Sequence, residues 1–119
     1  MIAARLRALC LGFPGAVEEF PFGELTSVFK VGGKMFALSR LAGRPLEVSV
    51  KCNPELGTQL RATYEAIVPG YHLNKRHWLS ITVAEVPDTL VGELVAGSYE
   101  LVVAALPRVK RATLGASAP

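Results

Sequence analysis

Two consecutive glycines, Gly32 and Gly33, separate two short apolar stretches, residues 25–31 and 34–40. A link made of glycine alone accepts positive φ at both positions, which is what a tight two-residue β-hairpin demands. Ala42-Gly43-Arg44-Pro45 marks a second turn. The strand after it is the clearest in the chain. Leu46, Val48, Val50 and Cys52 alternate with Glu47, Ser49 and Lys51. Period-two alternation of this kind describes a sheet with one buried face and one wet face. Three hairpin-linked strands therefore form an antiparallel meander.

Helical spacing brackets the meander. Residues 2–11 place Leu6, Leu9 and Cys10 on one face, and Gly12 with Pro14 stops the element. Residues 13–23 read as an irregular connector. Asn53-Pro54-Glu55 combines a capping side chain, proline at the first helical position and an acid in the first turn. Leu56, Leu60, Tyr64 and Ile67 then share a face, and Pro69-Gly70 ends the run. Residues 67–71 are extended, and residues 78–83 alternate as a strand. The last helical region opens at Pro87-Asp88-Thr89. Gly97-Ser98 divides it, with Ser98 capping the second half, and Pro107 stops it. The expected architecture is α+β: an α-β3-α-β2-α order, folded as a two-layer sandwich of one antiparallel sheet with helices on one face. Residues 1–111 form a single domain, and residues 112–119 a flexible tail.

A chain of 119 residues, half of them hydrophobic and 19% charged, has the composition of a globular domain. Its net charge of +3 is unevenly spread. Residues 30–76 hold eight cations against three acids, and residues 77–106 hold four acids and no Lys or Arg. Such a gradient suits a face that meets an anion. Cys10 and Cys52 form no C-x-x-C pair and stand among apolar neighbours, so they read as buried free thiols. The apolar run after Arg7 is too short for a signal peptide, and no run reaches membrane-spanning length. A cytoplasmic protein with no membrane partner is the expectation.

Chemistry concentrates in residues 68–78, which hold both histidines, the single Trp, Tyr71, Asn74 and the adjacent cations Lys75 and Arg76. No phosphate-loop, dinucleotide-binding or nucleophile-elbow pattern is present. Cys52, His72 and His77 lack a fourth ligand at metal-site spacing, and Lys75-Arg76 between the histidines would repel a cation. The acids are scattered singly, without an acid/base couple. These observations point to a non-enzymatic protein without cofactor or metal. Anion binding fits better. Lys51, Lys75 and Arg76 would contact phosphates, with Lys34 and Arg44 at hairpin tips. Tyr71, His72 and Trp78 would shape the surface or stack on bases, His77 belongs to the same anion-binding set, and Asn74 would meet a base edge or phosphate oxygen or make a turn. A protein-interaction module and a small-ligand pocket around His72, Asn74, His77 and Trp78 are the alternatives.

Several ordered motifs carry a family resemblance. They are Pro21-Phe22-Gly23, residues 29–37 (FKVGGKMFA), residues 50–55 (VKCNPE), residues 69–78 (PGYHLNKRHW) and residues 98–102 (SYELV). Together they resemble the MmcQ/YjbR family. The resemblance implies an α+β fold similar to type III secretion chaperones. It also implies DNA binding through a double-wing arrangement of hairpins. It carries no catalytic residues. A chaperone-like protein partner would sit awkwardly with the basic charge, because such chaperones are typically acidic dimers.

Overall fold

A computed structural model describes residues 1–70 and 73–117. The elements are α1 (Ala3–Leu11), β1 (Val17–Glu19), β2 (Ser27–Val31), β3 (Lys34–Ser39), β4 (Glu47–Lys51), α2 (Pro54–Thr63), β5 (Ile67–Pro69), β6 (Trp78–Thr82), a 3-10 turn (Val83–Glu85), α3 (Asp88–Ala104) and α4 (Arg108–Ser117). The strands form one antiparallel sheet in the order β1-β2-β3-β4-β6-β5. The expected α+β architecture is present, with one strand more than the sequence suggested. That strand, β1, lies in the segment read as an irregular connector. Val-Glu-Glu has no strand signature of its own, and its extended form comes from pairing with the edge of β2.

Gly32 and Gly33 close the first hairpin with φ of 58° and 81°, the backbone of a type I′ turn. A bulge then breaks the register between Phe29 and Lys30, with Phe29 opposite Ala37 but Lys30 opposite Met35. The extra residue is Phe36. Strict alternation would put it on the face opposite Ala37. The bulge re-aims it, so both Phe36 and Ala37 are buried in the core. There Phe36 meets Phe13 and Tyr99 edge-on, and those two rings stack on each other with centroids 4.7 Å apart.

The main core lies between the sheet and the helices. Leu6 and Cys10 of α1, Leu60 of α2, and Val91, Val95 and Val102 of α3 pack with Val48, Val50, Leu79 and Ile81 of the sheet. Burying each large apolar side chain contributes about 1.5–3 kcal/mol. Asn53 caps α2 as expected, its side chain accepting from the Glu55 N–H at 2.9 Å.

Other expectations are revised. α3 runs unbroken through Gly97-Ser98, so Ser98 caps nothing. The residues read as a tail from Ala112 instead continue α4 to Ser117, and Leu114 packs against the core. The second face of the sheet, expected to be wet, is partly closed. Val28 and Trp78 lie on it and are 0% and 8% exposed. No helix among the described residues is long and apolar enough to cross a membrane.

Candidate functional site

One cross-strand row on the helix-free face reads Val28, Leu38, Ser49, Ser80, Val68 from β2 to β5. Two small residues sit at its centre, and a hollow results. The sheet there floors a groove of about 710 Å³, within the usual size of ligand sites. The Ser49 and Ser80 hydroxyls are 3.0 Å apart. One donates to the other, so the pair keeps one O–H proton and spare lone pairs for a ligand.

Phe22 and Leu73 line the groove from the two loops that reach over this face. Phe22 is 65% exposed. The β3–β4 loop supplies Arg40 and Arg44 at the rim. This loop is held by a turn in which the Gly43 N–H donates to the Arg40 carbonyl at 2.7 Å. A side chain at Gly43 would come within 2.9 Å of that carbonyl, which explains the glycine. Both arginines are exposed, and neither forms an ion pair among the described residues. Glu47 also borders the groove. Its backbone carbonyl accepts from the Ser39 hydroxyl, while its carboxylate has no hydrogen-bond partner among the described residues.

A second cavity, of about 330 Å³, lies on the helix side between the end of β4, the start of α2 and α3. Its walls are mainly apolar, with Leu56, Leu94 and Leu101, and Cys52 borders it. Burial pushes the Cys52 thiol up, against a backbone hydrogen bond and the charge of Arg61, which act the other way. A thiol held protonated is a poor nucleophile. No three His, Cys, Asp or Glu among the described residues are grouped to hold a metal ion.

Residues 11–101 match the model of the YjbR family. The chain belongs to the YjbR family. It is 38% identical over 104 residues to the uncharacterized protein YbdF of Escherichia coli O157:H7, covering 86% of this chain and 84% of that one. It is 32% identical over 115 residues to the uncharacterized protein YjbR of Escherichia coli K12, covering 96% and 98%. The crystal structure of Deinococcus radiodurans protein DR2400 superposes with a TM-score of 0.90 at 42% identity, covering 96% of this chain and 88% of that one. A Pseudomonas syringae protein at 21% identity shares the fold, with a TM-score of 0.69 over 83% of this chain and 96% of its own.

The YjbR fold distributes the residues singled out in the sequence over several places. Arg44 lies at the groove. Lys34 follows the glycine turn at the far end of β3 from Arg40, and that six-residue strand spans roughly 17–20 Å. The two hairpin tips therefore do not converge. Lys51 pairs with Trp78 at the end of β4 remote from Arg44. Trp78 is buried, so its ring offers no open stacking surface. Asn74 builds a turn: its side chain accepts from the Arg76 N–H at 3.0 Å, and its carbonyl accepts from the His77 and Trp78 N–H groups. That turn leaves Lys75 and Arg76 exposed, while His77 is half-buried and its carbonyl accepts from the Cys52 N–H at 2.7 Å. Tyr71 and His72 lie outside the described residues. Sequence reasoning missed Phe22, Arg40, Ser49 and Ser80 as groove residues. The available signal was a serine at the middle of each of two strands otherwise built from larger side chains.

Proposed function

We propose that this YjbR-family chain is a non-enzymatic nucleic-acid-binding protein of the cytoplasm, and that the helix-free face of its sheet is the binding surface. The observation that carries the reading is the pair Arg40 and Arg44, exposed and without a carboxylate partner among the described residues, at the rim of a groove beside the exposed ring of Phe22. Guanidinium groups left unpaired suit phosphate oxygens, and an exposed ring suits a base. Lys51, Lys75 and Arg76 at the other end of the sheet would add phosphate contacts along a bound strand. DNA is the form that the family resemblance favours.

The test is a fluorescence-anisotropy titration of DNA across a salt series. With about two to five phosphates neutralised, log K should fall against log salt with a slope of roughly −2 to −4. Arg40→Ala or Arg44→Ala should each weaken binding and reduce the slope by about 1. Absence of binding to both single-stranded and duplex DNA at low salt overturns the reading.

A further inference from the structure

The cavity on the helix side of the sheet plays no part in the nucleic-acid reading. Its interior offers little to a polar ligand. The Ser98 hydroxyl that borders it is committed to the Phe36 carbonyl and the Lys51 N–H. The side-chain oxygen of Asn53 is taken by the Glu55 N–H. Leu56, Leu94 and Leu101 form apolar walls, and Leu56 and Leu101 remain 45% and 41% exposed. Gly97 belongs to the α3 wall, and a Cβ there would meet nothing within 4 Å. Glycine disfavours a helix interior, and no neighbour demands it at this position. Its effect is to leave the cavity open on that side.

The charge at the rim is negative. Glu93 and Glu100 border the cavity, both are exposed, and neither forms an ion pair among the described residues. Seven residues apart, they lie two turns and about 10.5 Å from each other on the side of α3 that carries Gly97. Lys51 also borders the cavity, but alternation along β4 sends its side chain, with that of Ser49, to the helix-free face. Arg61 acts on the Cys52 thiol from α2 without lining the cavity. We infer that this cavity binds a small organic amine. The apolar body lies against the three leucines, and the ammonium at the mouth donates to Glu93 or Glu100. At about 330 Å³ the cavity is at the lower end of ligand sites, suited to one ring and a short chain. An acid of the same shape would be repelled by two carboxylates. The site and the groove lie on opposite faces of the sheet, so neither assignment depends on the other.

The probes are 2-phenylethylamine, 2-phenylethanol and 3-phenylpropionate, which share a ring and differ in charge. Each is titrated at millimolar concentration into the nitrogen-15-labelled full chain, and amide shifts are followed by NMR. Shifts should centre on Cys52, Gly97 and Leu101. The amine should bind about fivefold more tightly than the alcohol, because exposed ion pairs are worth little more, and the acid should bind most weakly. Gly97→Leu should abolish binding of amine and alcohol alike. That variant should fold, since leucine favours a helix over glycine and its side chain enters open space. Glu93→Gln combined with Glu100→Gln should bring the amine down to the affinity of the alcohol and leave the alcohol unchanged. Absence of shifts at the cavity with all three probes overturns the inference. So does an acid that binds as well as the amine, or a Gly97→Leu variant that binds as the parent does. A dimer seen in sedimentation and broken by Gly97→Leu would mean that a second copy fills the cavity, and would overturn it too.

Discussion

The hydroxyl of Ser98, in the middle of α3, donates to the carbonyl of Phe36 in β3 at 2.6 Å. The same oxygen accepts from the Lys51 N–H of β4 at 2.8 Å. Continuing the β3–β4 register beyond Ala37 and Val50 would set Phe36 opposite Lys51. A helix side chain thus occupies the place of a ladder bond, and it is fully buried there. Ser98→Ala should leave a buried carbonyl and an amide without partners and cost about 2–4 kcal/mol. Urea unfolding measures the loss. A change below about 0.5 kcal/mol would mean that the strands close up and pair directly.

Glu18 accepts from Ser27 at 2.7 Å and from Arg7 at 2.9 Å. Burial alone would raise its carboxyl, but these hydrogen bonds and the Arg7 charge prevail and hold it below its ordinary 4.5. A carboxyl depressed by folding adds stability above its unfolded pKa, and that stability is lost as pH falls through the folded value. Glu18→Gln should therefore be less stable than the parent at pH 7, by about 1 kcal/mol. The difference should close as the pH drops below about 4.5. Thermal melts at a series of pH values check this, and a gap that stays constant into acid contradicts it.

Burial, aided by the nearby Glu18 charge, pushes the Cys10 thiol from 9.0 up to about 12. An acid whose pKa is raised by folding stabilises the protein below its unfolded pKa and ceases to as pH climbs towards the folded one. Between pH 9 and 12 the parent should lose stability more steeply than Cys10→Ala, whatever their offset at neutrality. A thiol reagent should label neither cysteine in the native protein at pH 8 and both in denaturant. Fast native labelling of Cys10 would refute the assignment.

Gly70 donates its N–H to the Trp78 carbonyl at 2.8 Å. A Cβ on Gly70 would stand 2.8 Å from the Trp78 Cβ and 3.3 Å from its backbone carbonyl. Neither neighbour can swing away without moving β6. Gly70→Ala should cost about 1–3 kcal/mol, read from the shift in the urea midpoint, with Gly97→Ala, whose added Cβ would meet nothing within 4 Å, as a neutral or stabilising control.

Local patterns carried much of this architecture. The glycine pair, the alternation of residues 46–52 and the Asn53-Pro54 start each encode their own backbone, and each could be read directly. β1 could not, because three residues become a strand only when an edge is there to pair with. Ser98 was misjudged for a related reason. Beside Gly97 it resembles a cap, yet its hydroxyl serves strands 47 and 62 residues away. Trp78 and its neighbours drew attention by composition alone. The ring proved to be buried, and Asn74 proved to be turn chemistry. The groove escaped notice because a hollow is made by what is small. Ser49 and Ser80 look ordinary until the register sets them side by side.

Both borders of the sheet are three residues long, and the outer one ends in Pro69. An incoming peptide strand would find few free amides to zip onto, and polymerisation through those margins is blocked in the same way. Main-chain pairing at either margin is thereby disfavoured, and contact through side chains is what the rest of the surface offers.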